Sequence, residues 1–158
     1  EGTTAIQAND LVGRKTARDG GAGAKGIAAQ IAKTEAQLLA SAHADAQALG
    51  KRLKAAREAF IDVVEFIAAN TRNHPNAAFA GSVPYLMLAG NLVAGWQMGR
   101  ALLVALTPQA QAQDAAFMAA KVTTARFYAD HILSKVPGMR DSIVEGADSV
   151  TALSLDAF

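Results

Sequence analysis

At 158 residues, 51% hydrophobic but only 6% aromatic, the chain can bury one core, and that core must be built from Ala, Leu, Val and Ile, the composition of closely packed helices. Fifteen Lys and Arg against fourteen Asp and Glu give a net charge of +1 with no basic stripe interleaved with aromatics, which excludes a nucleic-acid surface. Cysteine is absent, which excludes disulfides and thiolate sites. The three histidines, His43, His74 and His131, stand too far apart for a metal-ligand spacing, so no metal is expected and they read as solvated or capping side chains.

In chain order, Ile6, Leu11 and Val12 predict a short helix, interrupted by Gly13 and by RKTARDGGAGAKG (14–26), whose four glycines and Asp19-Gly20 turn signal read as a linker. Apolar residues then recur at Ile27, Ile31, Leu38 and Leu39. A second phase runs Leu49, Leu53, Ala56, Phe60, Val63, Val64 and Ile67 between charged positions. Two amphipathic helices are therefore expected, parted near residues 41–45. NTRNHPN (70–76) stops the second, since Asn and Pro favour turns and Pro75 disfavours a helical residue before it.

The next segment, PYLMLAGNLVAGWQMGRALLVAL (84–106), starts with Pro84 in its first turn, is apolar around most of its circumference and ends before Thr107-Pro108. It approaches the length of a membrane span, but Asn91, Gln97 and Arg100 interrupt it, and the expectation is a central buried helix of a soluble bundle with no membrane span. Gly90, Gly95 and Gly99 are the expected points of close helix approach. Met87, Trp96, Met98 and Phe117 read as core rather than as a cofactor pocket.

DAAFMAAKVTTARFYADHILSKV (114–136) predicts a helix capped by Asp114 and ended by Pro137-Gly138. A last helix is expected to about Glu145, with a break at Gly146. Asp62, Glu65, Lys121, Arg126 and Asp130 read as charges on solvated or interhelical faces, and GGAGAKG lacks the spacing and preceding strand of a phosphate loop. The predicted fold is all-α, an antiparallel helical bundle of four to five main helices preceded by a short helix and a Gly-rich linker.

The opening stretch EGTTAIQ, followed by NDLVGRK, resembles the C-terminal end of the catalytic helical domain in the acyl-CoA dehydrogenase family. RDGG, PYLMLAGNLVAGWQMGRAL and AAKVTTARFYADHILSKVPGM resemble the extra C-terminal domain of the longer subgroup to which the 3-methylmercaptopropionyl-CoA dehydrogenases belong. The resemblance covers nearly the whole chain. It implies a fragment beginning at the catalytic glutamate, with residues 1–23 ending the catalytic helical domain and its linker and 24–158 forming a C-terminal bundle.

The family reaction removes the α-proton of an acyl thioester and passes the β-hydrogen as hydride to FAD, giving a trans-2-enoyl-CoA. The resemblance makes Glu1 the catalytic base, and a carboxylate in a dry cleft has its pKa raised toward a useful range by desolvation. Gly2 matches a substrate-binding position where the backbone approaches the thioester. The backbone N–H of Glu1 matches a donor to the thioester carbonyl.

Thr3, Thr4 and Ala5 match FAD-binding positions, Ala5 through its backbone only. Ile6 reads as core and Gln7 as a helix-entry hydrogen bonder. Without the resemblance, a lone Glu before Gly-Thr-Thr reads as a helix N-terminal residue, where the macrodipole favours negative charge, rather than as a base. The implied cofactor is FAD and the implied partners are an acyl-CoA substrate, an electron-transfer flavoprotein acceptor and further copies in a dimer or tetramer, in the cytoplasm. The fragment alone is expected to be inactive. The alternative is a non-catalytic helical oligomerisation or scaffold module.

Overall fold

A computed structural model describes residues 2–157, and every regular element among them is helical, so the fold is an all-α helical bundle. After α1 (Thr4–Asp10) the chain tightens through a π-helical turn, Leu11–Thr16, and a short 3-10 turn, Ala17–Asp19. There follow α2 (Ala22–Ala40), α3 (Ala44–Asn70), α4 (Pro75–Ala80), α5 (Ser82–Ala105), α6 (Pro108–Gln113), α7 (Ala115–His131) and α8 (Val136–Val144), with short 3-10 turns near the end of the chain.

Local chemistry sets most of these boundaries. The Asp19 carboxylate accepts the N–H groups of Gly21 (3.0 Å) and Gly23 (2.9 Å), capping α2. Gly20 and Gly21 make the turn at φ 66° and 84°. A Cβ on Gly21 would also lie 2.5 Å from Val64 Cγ1, so glycine is required there on two counts. Residues 14–26 are therefore mostly helical, and the break expected of a linker is confined to Gly20-Gly21.

At the next boundary Ser41 Oγ accepts the His43 N–H and His43 Nδ1 accepts the Asp45 N–H, so this histidine acts as a cap. Asp114 accepts the Phe117 N–H at 2.9 Å and caps α7. α7 ends at His131, however, and Pro137-Gly138, expected to end it, lie in the first turn of α8, where proline's missing N–H costs nothing.

The chain forms two compact units. One comprises the residues up to Ala28, Ala59–Ala89 and those from Pro137 onward; its core is built on Val12, Phe60, Val64, Ile67, Tyr85 and Ile143. Tyr85 stacks on Phe60 with ring centroids 6.0 Å apart. The other comprises Ala29–Glu58 and Gly90–Val136, with Ile31, Leu38, Leu49, Leu53, Leu102 and Leu133 buried. Each such side chain contributes roughly 1.5–3 kcal/mol on burial.

The α5 expectation is corrected on one point. The helix buries one face only, at Tyr85 and Leu88 in the first unit and Leu92, Gly95, Gly99 and Leu102 in the second, a 3.6-residue period. Val83 and Met87, and in the other unit Val93 and Val104, are exposed. Apolar residues around the whole circumference do not make a helix central; only the face that meets a neighbour is buried. Gly95 and Gly99 are points of close approach, where a Cβ would meet Leu133 Cδ2 at 2.6 Å and Leu38 Cδ1 at 2.9 Å, but Gly90 faces open space. Among the described residues no helix is long and apolar enough to cross a membrane.

Candidate functional site

The Glu-Gly-Thr-Thr motif leads into α1. Glu1 lies outside the described residues. Gly2 has φ 74°, a left-handed backbone that an L side chain adopts only under strain, and nothing lies within 4 Å of the position a Cβ would take. Thr3 ends the non-helical lead, and its carbonyl accepts the Gln7 N–H at 2.9 Å. Its side chain makes no cap. Gly2, Thr3, Thr4 and Ala5 are contiguous and all exposed, and the two threonine hydroxyls make no hydrogen bond among the described residues.

Ile6, expected in the core, is 65% exposed. Ala8 is the residue of α1 that is buried, so α1 lays one small residue on the first unit and turns Ile6 and Gln7 outward. An isoleucine in water next to unengaged hydroxyls makes this a surface with apolar and polar contacts both unused.

What anchors this strip is the π-helical turn behind it. Val12 and Thr16 are buried, and the Thr16 hydroxyl and the Tyr85 hydroxyl lie 2.9 Å apart in a buried hydrogen bond. Burial pushes the Tyr85 phenol above its ordinary range, opposed in part by the bond to Thr16. Sequence reasoning missed this anchor, although a tyrosine in an otherwise apolar helix signals a hydroxyl in need of a partner. At the other end Asp10 pairs with Arg14 one turn on, at 3.1 Å.

The remaining charges read from the sequence are structural. Arg126 of α7 bridges Asp45 at 2.9 Å and Asp130 at 2.6 Å within the second unit. In the first unit Arg140 contacts Asp62 and Glu145, and Lys25 reaches Glu65 at 2.9 Å. A pairing the sequence did not signal joins Arg57 to Glu35 at 2.7 Å, both largely buried, and this hydrogen bond raises the Arg57 pKa further above its usual value. No group of three or more His, Asp or Glu side chains that could hold a metal occurs among the described residues.

Comparison with known proteins places these features. The family model described as acetyl-CoA dehydrogenase C-terminal like matches residues 27–154. The chain is 45% identical over 155 residues to the 3-methylmercaptopropionyl-CoA dehydrogenase of Ruegeria pomeroyi, an alignment covering 98% of this chain and 26% of that protein. It is 33% identical over 177 residues to the broad-specificity linear acyl-CoA dehydrogenase FadE5 of Mycobacterium tuberculosis, covering 100% of this chain and 27% of that one. The chain thus spans about a quarter of the length of these curated relatives. With most of its length matched, the chain belongs to the acetyl-CoA dehydrogenase C-terminal-like family, a C-terminal part of the acyl-CoA dehydrogenases.

Proposed function

We propose that this chain is the C-terminal portion of a flavin-dependent acyl-CoA dehydrogenase that converts an acyl-CoA to its trans-2-enoyl-CoA. The observation that carries this reading is the exposed strip of residues 2–7, which leads into the π-helical turn and has unused polar and apolar groups, in a chain aligned over nearly its whole length with named acyl-CoA dehydrogenases. Glu1 takes the α-proton as base. Gly2, with a left-handed backbone and no Cβ, lets the thioester come close to the main chain.

The exposed Thr3 and Thr4 hydroxyls and the backbone of Ala5 fit a flavin neighbour, since they are polar, adjacent and engaged by nothing else among the described residues. FAD, when bound, supplies the acceptor for the β-hydride. Ile6 is read as an apolar contact to another part of the full-length enzyme, which excludes water from this side of the strip. Acyl-CoA is the substrate, an electron-transfer flavoprotein reoxidises the flavin, and the enzyme works as a dimer or tetramer in the cytoplasm. The fragment alone is inactive, because the base and the Thr3–Ala5 strip are one wall of a site whose other walls lie in further domains.

The test is the full-length enzyme with Glu1→Gln, assayed with a dye acceptor over a panel of acyl-CoAs while flavin absorbance is recorded. Retained flavin with activity lost by several orders of magnitude supports the base assignment. Equal turnover of both forms would refute it and favour the scaffold reading.

A further inference from the structure

Three threonines in or just after helices turn their hydroxyls back on their own backbone. Thr71, Thr123 and Thr124 donate to the carbonyls of Ile67, Ala119 and Ala120, four residues earlier, at 2.6, 3.1 and 2.9 Å. Thr16 does otherwise. The carbonyl four residues before it, that of Val12, accepts the Ala17 N–H across the π turn, and the Thr16 hydroxyl bonds to Tyr85 at 2.9 Å. Tyr85 is itself held firmly. It is fully buried, its ring stacks on Phe60, and its N–H donates to the Gly81 carbonyl at 2.9 Å. Gly81 packs so closely on Ile143 that an added Cβ would lie 2.7 Å from Ile143 Cγ2, so the entry to α5 has little freedom to shift.

The π turn lets Thr16 reach that fixed hydroxyl. Ala8, Val12 and Thr16 are all buried at a spacing of four residues. In an α-helix such a row drifts by about 40° per step, and a wider turn with i→i+5 bonds takes out that drift. The apolar part of the row is slight. Ala8 offers one methyl and Val12 lies within the π turn itself, and contacts of this kind slide. The hydrogen bond has a set distance and direction, so it is the contact that fixes rotation and tilt. Gly2 stands on the order of 20 Å of helical rise ahead of Thr16. Over such an arm a tilt of about 3° displaces the far end by about 1 Å, and a misplacement of that size costs up to about 100-fold in rate.

We propose that Tyr85 is a positioning residue for the dehydrogenation: through Thr16 it fixes the π turn, and with it the tilt of α1 that presents Gly2, Thr3, Thr4 and Ala5 to thioester and flavin. Resting on the dehydrogenase reading above, this gives α5 a part in chemistry carried by residues 1–5.

The test compares the full-length flavin-loaded enzyme as wild type, Tyr85→Phe, Tyr85→Phe with Thr16→Val, and Glu1→Gln. The readouts are kcat and KM with a dye acceptor and an acyl-CoA that the wild type oxidises, the bound-flavin absorbance spectrum, the thermal melt, and amide hydrogen exchange in the peptide covering residues 3–16. Tyr85→Phe is expected to lower kcat by about 10–100-fold with KM within about threefold, because a misplaced reacting centre costs rate rather than ground-state binding. Its flavin spectrum shifts, and residues 3–16 exchange faster. The double variant leaves no hydroxyl of the pair buried and unpaired, so its melt returns toward wild type. The direction set by the hydrogen bond is still missing, so kcat stays low and exchange stays fast. A double variant whose kcat and exchange recover together with its melt overturns the proposal and makes the pair a packing device only. Wild-type kcat in Tyr85→Phe overturns it equally. If Glu1→Gln turns over like wild type, the dehydrogenase reading fails and this proposal fails with it. If Glu1→Gln is inactive while the double variant matches wild type, this proposal fails alone.

Discussion

Gly95 and Gly90 sit five residues apart on α5, and Gly→Ala at the two positions should change stability in opposite directions. In a helix interior alanine is favoured over glycine by about 0.8–1 kcal/mol. At Gly90 nothing lies within 4 Å of the added Cβ, so that gain is kept. At Gly95 the Cβ would lie 2.6, 2.8 and 2.9 Å from Leu133 Cδ2, Cδ1 and Cγ. The clash includes the branch point of a fully buried side chain in a 3-10 turn, so rotating one methyl aside does not relieve it. Overpacking of this kind costs about 1–3 kcal/mol before the propensity gain is subtracted.

The expected balance is a loss of up to about 2 kcal/mol for Gly95→Ala and a gain of about 0.5–1 kcal/mol for Gly90→Ala. In thermal melts these correspond to a Tm lower by up to about 6 °C and higher by about 2–3 °C. Leu133→Ala made together with Gly95→Ala should cost less than the sum of the two, because the first change empties the space that the second fills. Equal stabilisation by both alanines would refute the reasoning, since it would mean that α5 and Leu133 are not in the contact that excludes a side chain at Gly95.

Arg57→Met leaves the Glu35 carboxylate without its partner in a largely buried site and should cost about 2–4 kcal/mol in urea melts, whereas Arg57→Met with Glu35→Met should return most of that loss. Tyr85→Phe leaves the buried Thr16 hydroxyl unpaired and should cost about 1–2 kcal/mol, partly recovered by adding Thr16→Val. The same tyrosine gives a pH signature. Burial raises its folded pKa above the usual value near 10, so the unfolded chain releases its proton first, and stability that is intact below that pH falls as pH rises through the alkaline range. Tyr128, raised by burial in the same direction, adds to the fall, and Tyr85→Phe should make it shallower without abolishing it.

Composition and periodicity by themselves determined the class of fold and several helix ends, among them the break before α3, the stop ahead of Pro75 and the start of α7 at Asp114. Ala and Leu at helical spacing with few aromatics leave no other way to bury a core, and Asp19, Asp114 and Pro75 act on the backbone within a few residues, so their effect does not wait for the tertiary structure. The motif EGTTAIQ pointed to the family for a similar reason: the identities and spacing of its residues are themselves the signal.

Tertiary contact alone decided which of several equally apolar faces is covered. Ile6 and Val12 look alike in the sequence, as do Val93 and Leu92, yet Ile6 and Val93 are exposed while Val12 and Leu92 are buried, because burial depends on whether a neighbouring helix lies on that side. Gly90 and Gly95 are separated by the same fact. The Tyr85–Thr16 and Arg57–Glu35 pairs join residues 69 and 22 positions apart, a range over which periodicity carries no information, and only the packing of the helices brings their polar atoms within reach.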